Sequence, residues 1–434
     1  MVNNAARPPS RLASEYGHKL LTMLAMPMPV FATADHPALA WRRAGLMAVT
    51  GLADGPGLIC PTALTLAADG AIAALRALTA SNDLPTAGAS LLGERARLLG
   101  LCRKGATSPN GSCRLLATRD GTVALNLPRP DDWELLPALF GSNTSDWSQV
   151  AQHSASFETD TLVARGRLLG LAISANREMP APFAPFALSQ VVAPQPCDRP
   201  PLVVDLGSLW AAPLAGSLLR TCGAEVIKVE SRTRPDSARN GNPAFFALLN
   251  SGKRSVVLDF SNRNDVMALQ RLVRRADIVI EGSRPRALRQ LGIQAALEAA
   301  RGATWISITA HGRQGAAANW IGFGDDAAVA GGLSTKMHHA FGEPLFAGDA
   351  IADPLTGIIA ALAGWASWRH GGGRIISVIM AQVVAHASGL AQAGTCLPGW
   401  QAMAEADKLP LYPLRTPAEN LAVFGVDTST IFSS

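Results

Sequence analysis

Four short runs rich in valine and isoleucine, separated by helix-period segments, constrain this chain more than any other feature. They cover 202–206, 225–229, 255–258 and 277–280. None alternates apolar with polar residues, so each reads as a strand buried on both faces of a parallel sheet. Between the first two runs, Pro213 predicts a helix start, because its missing N–H would have no partner there. Leu214, Leu218, Leu219 and Cys222 then share one face, and Gly223 ends the helix. Between the last two, Asn262 or Asn264 caps a helix whose apolar face carries Val266, Leu269, Leu272 and Val273. Strand–helix–strand units with short connections build an open α/β sheet, which takes ligands at the carboxyl ends of its strands.

The rest of the composition narrows the class. A chain of 434 residues is long enough for two or three domains. It is 48% apolar and 16% charged, the balance of a buried α/β protein and not of a disordered one. The net charge of +5 is spread along the chain without a basic block, which argues against a nucleic-acid partner. Six cysteines without CxxC spacing read as reduced thiols of a cytoplasmic protein. No uncharged apolar run reaches the roughly 18 residues a membrane span needs. Lys19 followed by LLTMLAMPMPVFATA faintly resembles a secretory signal, but Glu15, His18 and two prolines interrupt it.

Before the α/β stretch, Asp120-Gly121 between two β-like runs predicts a hairpin. Helices are expected over 131–140 and 161–173, then a Pro-rich linker over 179–201. Residues 36–80 share an order of features with the later stretch from Ala330 to Gly364: a Gly-rich loop, an Asp, then an Ala/Ile/Leu helix. Duplication and shared composition both account for that likeness. Gly207–Ala212 lacks the GxGxxG pattern, and Glu230 alone is a weak sign of ribose binding. His338-His339 are adjacent and not i, i+4, so they read as loop residues and not metal ligands. Residues 371–373, all Gly, predict a turn before a strand.

Six blocks, in order, carry a resemblance. DLGSLWAAPLAGSLLRTCGAEVIKVES, NSGKRSVVLDF, ADIVIEGSRPRALRQLG, WISITAHGRQG, GFGDDAAVAGGL and GDAIADPLTGIIAALAG are similar to the amino-terminal half of class III CoA-transferases (CaiB/BaiF type). That family includes formyl-CoA transferase, carnitine CoA-transferase and α-methylacyl-CoA racemase. The resemblance implies an open parallel Rossmann-like sheet with a smaller α+β domain. It also implies a rearranged order: small-domain material in 1–195, a CoA-binding α/β domain in 196–385, and a tail in 386–434. A homodimer is expected by the same resemblance.

The resemblance places the family's nucleophilic aspartate at Asp353. It implies coenzyme A as a substrate moiety, no tightly bound cofactor, and partners that are an acyl-CoA and a carboxylic acid acceptor. Read locally, Asp353 before Pro354 is equally a helix cap. Phosphates of CoA call for cations, and Lys228, Arg232, Lys253, Arg254, Arg284 and Arg289 are the candidates near strand ends. Departures from the family pattern are visible. Ser231 precedes Arg232 where the family often has Arg, and Gly282-Ser283 replace Asn-Phe. Phe323-Gly324 replace Tyr-Asp or His-Asp, which argues against racemisation and leaves Asp325 or Asp326 as substitute acid–base groups. His311 reads as a hydrogen-bonded loop residue before it reads as a base. Trp210 replaces a polar Gln and disfavours a small dicarboxylate such as oxalate. The alternatives are an intramolecular transferase or isomerase of the same family and a catalytically silent CoA-binding protein. The absent glycine fingerprint disfavours a dehydrogenase.

Overall fold

The computed structural model describes residues 8–30, 32–79, 81–181, 184–283, 285–390, 396–417 and 419–433. Strands β1 (Cys113–Ala117), β2 (Thr122–Asn126) and β3 (Ala172–Ala175) form a small antiparallel sheet. Strands β4 (Ala187–Gln190), β5 (Leu202–Leu206), β6 (Glu225–Ser231), β7 (Arg254–Leu258), β8 (Ile278–Glu281), β9 (Thr304–Thr309) and β10 (Arg374–Ile379) form a larger one. Its order is β4-β10-β9-β8-β5-β6-β7, parallel except for β4 on β10. The expected α/β sheet is therefore present. The chain runs from β5 outward through β6 and β7, then returns to lay β8, β9 and β10 on the other side. The order reverses between β5 and β8, and the crevice at their carboxyl ends is where such a sheet takes a ligand.

The principal helices are α1 (Pro9–Met23), α2 (Leu64–Thr79), α3 (Glu94–Leu99), α4 (Thr159–Leu169), α5 (Ala211–Thr221), α6 (Arg263–Arg275), α7 (Gly324–Ala330), α8 (Leu333–Phe341), α9 (Ala352–Arg369) and α10 (Met380–Ser388). Helix α9 is apolar on every side and is buried from Pro354 to Trp368. Such a helix has no solvent face, so it must be surrounded. It lies on β9 and β10, with α5 on one flank and α2 and α10 on others. One continuous core joins Leu64, Ile72 and Leu75 of α2 to Leu214, Leu218, Ile358, Ile359 and Leu362. Helix α1 packs in turn on α2, where a Cβ on Gly70 would lie 2.3 Å from the Ala13 carbonyl oxygen. The two Ala-rich helices that sequence likeness pairs, α2 and α9, are thus packed against each other.

Several local expectations need correction. Helix α5 begins at Ala211, so Pro213 lies inside its first turn and does not open it. Asn262 does cap α6, accepting from the N–H groups of Asn264 and Asp265. The segment 131–140 is two short helices, Pro130–Glu134 and Leu136–Phe140; Pro137 has no N–H to carry one helix through. Helix α4 stops at Leu169 because Gly170 takes a left-handed cap (φ +82), and 172–175 becomes strand β3. The Pro-rich stretch is not only a linker, since β4 within it covers the β10 edge of the large sheet. His338 and His339 lie on α8 and not in a loop. The opposite edge, β7, is closed by the tail: Asp427 and Thr428 side chains accept from the backbone N–H groups of Ser255 and Val257.

The α1–α2 crossing gives a direct test of how closely these two helices pack. Gly70→Ala is expected to lower unfolding free energy by about 1–3 kcal/mol, because backbone and not a flexible side chain occupies the new methyl's place. Chemical denaturation at fixed pH measures it.

Candidate active site

Two backbone segments meet at the β5/β8 crevice. After β5, Asp205 turns the chain by accepting from the Gly207 N–H at 2.9 Å, and Trp210 becomes the N-cap of α5. Residues 348–351 lead into α9 on the neighbouring side. Each segment contains a non-glycine residue in the left-handed region, Leu209 (φ +70) and Ala350 (φ +42). Each costs about 1 kcal/mol or more, and such strain persists where surrounding contacts fix it. Here the Leu209 N–H donates to Asp236 at 3.0 Å and the Ala350 N–H to Asp325 at 2.8 Å.

Asp353 lies in the first turn of α9, partly exposed, while its neighbours Ala352 and Pro354 are buried. It is not the cap expected from the Asp-Pro pair: the helix starts a residue earlier and Ile351 occupies that position without a side-chain cap bond. The carboxylate instead faces Gly324 at the start of α7, where a Cβ would lie 2.3 Å from Asp353 Oδ2. That explains why the position next to Phe323 carries no side chain here: the Asp353 carboxylate fills the space. Burial pushes the Asp353 carboxyl up to about 7; Arg95 and the Ala211 N–H draw it down, while Asp349 and Asp326 push it further up.

Three more carboxylates surround it. Burial, reinforced by Asp349, pushes Asp325 up to about 7. Burial also pushes Asp326 up to about 7, although it accepts from Asn126 Nδ2 (3.0 Å) and the Phe323 N–H (2.9 Å). Asp349, fully buried and also raised by burial, has Arg95 Nε 3.3 Å from its Oδ2. The Arg95 guanidinium lies 5.3 Å from the centroid of the Trp210 ring. Arg95, Asn110 (3.4 Å from Asp325 Oδ2) and Asn126 all come from the first 195 residues, so that segment contributes to the site. Sequence reasoning missed Arg95, Asn110, Asn126 and Asp349. No spacing rule connects GERARLL, near the start, to a helix that begins 250 residues later. Asp349 stands within the GDAIAD block, but nothing in the block marks it apart from its neighbours. His311, considered as a base, is pushed down to about 4 by burial and stands edge-on to Trp320, ring centroids 5.8 Å apart. It is therefore neutral near pH 7.

The candidate cations divide. Lys228 and Lys253 are buried and bound to internal carboxylates. Lys228 Nζ donates to the Gly207 carbonyl (3.0 Å) and Asp236 (2.9 Å). Lys253 Nζ donates to Asp205 (2.8 Å), the Pro213 carbonyl (2.8 Å) and Asn250 (3.1 Å). Burial works against the charge on Lys228, but Asp205 and then Asp236 outweigh it and raise the ammonium above its ordinary value. Burial lowers Lys253 to about 8, against the pull of Asp205. Arg254 opens β7, at the amino end of the strand, and pairs with Glu225 (3.1 Å) and Asp427 (3.5 Å). Arg232 is exposed just past the carboxyl end of β6. Arg289 is exposed on the helix Pro285–Gln290, beside a cleft of about 290 Å³ lined also by Glu281 and Arg313. Arg284 lies outside the described residues. Glu230, the ribose-like acid, is held by Arg239 at 2.6 Å and the Asp236 N–H at 2.9 Å.

These charges have two measurable consequences. Lys253→Met is expected to destabilise the fold by about 3 kcal/mol, because it strips the nearest cation from buried Asp205; adding Asp205→Asn should recover part of the loss. A denaturation series on the single and double variants checks it. Four carboxyls sit near 7 (Asp69, Asp325, Asp326, Asp353), whereas His311 and His386 sit near 4. Between pH 4 and 7 the folded chain keeps protons on those acids that the unfolded chain releases; the two histidines oppose this only up to about pH 6.5. Unfolding free energy is therefore expected to fall on raising pH through this window, by roughly a few kcal/mol per unit, and to level off above about pH 8. Denaturant titrations at stepped pH measure it.

Comparison with known proteins bears on the same segment. Residues 201–411 match the family described as CoA-transferase family III. A succinate–glutarate CoA-transferase of Agrobacterium fabrum is 32% identical over 196 residues, covering 40% of this chain and 48% of that protein. A succinyl-CoA–D-citramalate CoA-transferase of Chloroflexus aurantiacus is 29% identical, covering 41% and 47%. A crystal structure of the Mycobacterium tuberculosis protein Rv3272 is 29% identical, covering 44% of this chain and 56% of its own, at a TM-score of 0.40. The chain thus spans about half, or less, of the length of these curated relatives. Its α/β segment, residues 201–411, is thus similar to CoA-transferase family III.

Proposed function

We propose that this protein transfers coenzyme A from an acyl-CoA thioester to a carboxylic acid, with Asp353 as the covalent carrier. The observation that carries the reading is the position of one carboxylate. Asp353 sits at the amino-terminal turn of a buried helix, at the sheet's crevice, facing a glycine. An Asp353 oxygen attacks the thioester carbonyl, the C–S bond breaks, and CoA leaves as thiolate from a mixed anhydride. The thiolate then attacks the aspartyl carbonyl and the original acid departs as carboxylate, leaving an aspartyl-CoA thioester. An acceptor carboxylate attacks that thioester, and the same two steps in reverse return free Asp353 and a new acyl-CoA. Splitting the exchange over one side chain replaces a hard step by easier ones. The amino-terminal turn of α9 and the Ala211 N–H favour the anionic form of the nucleophile.

The names of the relatives, which act between acids such as succinate and glutarate, support an exchange of this type. Segments 1–195, 196–385 and 386–434 are read as small-domain material, CoA-binding α/β domain and tail, in a cytoplasmic homodimer. Arg232, exposed just past the carboxyl end of β6, and Arg289, beside the cleft lined by Glu281 and Arg313, are described candidates for contacts with the CoA phosphates. A catalytically silent CoA-binding protein is the competing reading, favoured by the departures from the family pattern at Ser231, Ser283 and Gly324.

Trapping separates the two. The protein is incubated with a panel of acyl-CoAs, quenched with hydroxylamine or borohydride, and the modified peptide is mapped by mass spectrometry. The expected outcome is modification at Asp353, lost in Asp353→Asn and increasing from pH 6 to pH 8 as the carboxyl near 7 ionises. Acyl-CoA binding without any adduct would establish the silent reading.

A further inference from the structure

Arg95, from outside residues 201–411, faces the carboxylate cluster around Asp353. We propose that Arg95 is a positioning residue that holds Asp353 in its attacking, ionised form, with Asp349 dividing the arginine's charge; this rests on the reading of Asp353 as nucleophile. The geometry is specific. Arg95 projects from α3, a helix that precedes residues 201–411 by about a hundred residues. Its side chain is 17% exposed, its Nε is 3.3 Å from Asp349 Oδ2, and its guanidinium lies against Trp210, the cap of α5. It therefore touches the two segments that frame Asp353, one after β5 and one before α9.

The charged and titratable groups around Asp353 are few. Helix α7 contributes Asp325 and Asp326, and the segment before α9 contributes Asp349. Helix α4 contributes Arg167, which acts on Asp326. Strand β1 contributes the buried Cys113 thiol, neutral because burial raises it. Glu94, beside Arg95, is occupied by Arg415 at 2.6 Å. Among these, Arg95 is the group that favours charge on Asp325, Asp349 and Asp353 alike. An opposite charge at such range lowers a carboxyl pKa by roughly one unit or more, and a like charge raises it. Removing Arg95 and removing Asp349 should thus move Asp353 in opposite directions. A purely structural role predicts no such opposition.

The test follows adduct formation on Asp353 against pH in wild type, Arg95→Gln, Arg95→Lys and Asp349→Asn. Arg95→Gln is expected to move the midpoint alkaline by roughly one unit, about a fivefold loss at pH 7, while approaching the wild-type plateau above it. Arg95→Lys should restore most of the midpoint, and Asp349→Asn should move it towards acid. A uniform loss at every pH in Arg95→Gln, or shifts of the same sign in Arg95→Gln and Asp349→Asn, would overturn the proposal. Melting temperature against pH supplies a readout independent of turnover. Its fall from pH 5 to pH 8 should be steeper in Arg95→Gln and shallower in Asp349→Asn. Unchanged slopes would sink the Arg95 assignment even if wild type gives an adduct; absence of an adduct with changed slopes would sink the Asp353 reading instead.

Discussion

The complete burial of one helix organises this molecule. Residues 352–369 present apolar groups in every direction, so no arrangement with a solvent face stabilises them. The sheet supplies one wall, the helix after β5 another, and the amino-terminal helices the rest. Each fully buried Leu or Ile there contributes about 1.5–3 kcal/mol relative to exposure. This is why the first eighty residues are continuous with the α/β core. It is also why a carboxylate in that helix's first turn ends up near the sheet's switch point, carried there by packing around it.

Charge arrangement follows from the same burial. Two lysines brace the crevice from behind, each spanning to an aspartate and a backbone carbonyl. A buried ion pair adds little net stability, but removing one member is costly, so these contacts fix geometry more than they add strength. The front of the crevice is the reverse case, with carboxylates in excess of cations. Contact with water is restricted and one arginine is shared, so the acids respond by holding protons near neutrality.

The α/β core was legible because its signals are local. Leu202–Leu206 is a five-residue run rich in leucine and valine with turn residues after it, and the strand has those bounds. Asn262 caps where its side chain predicts. The errors have physical causes of the same kind. Gly170 ends a helix whose periodicity continued past it, and Pro137 divides one that looked continuous. The site was half legible. Asp353 stood out by resemblance, but a lysine that will bind phosphate and a lysine that will bind a buried aspartate look alike in sequence. Lys228 and Lys253 could be told apart from surface cations only once Asp205 and Asp236 were placed beside them. Arg95 and Asn126 act across two hundred residues of chain or more, beyond any periodicity or spacing rule.

On the proposed reading, Asp353 faces two conflicting demands as a nucleophile, and the site's composition meets both. Ionised in water at its ordinary pKa, an aspartate is a weak nucleophile; desolvated with a raised pKa it attacks better, provided enough of it is ionised near working pH. A value near 7 satisfies both conditions. The neighbouring acids bear on the second partner. Four ionised carboxylates would repel a thioester's phosphates and an incoming acid alike. Burial keeps a share of Asp325 and Asp326 protonated near neutral pH, and that share carries no charge and can donate a hydrogen bond to an anion. The same desolvation that tunes the nucleophile therefore lowers the barrier to admitting a second carboxylate beside it, which is what an exchange between two acids demands.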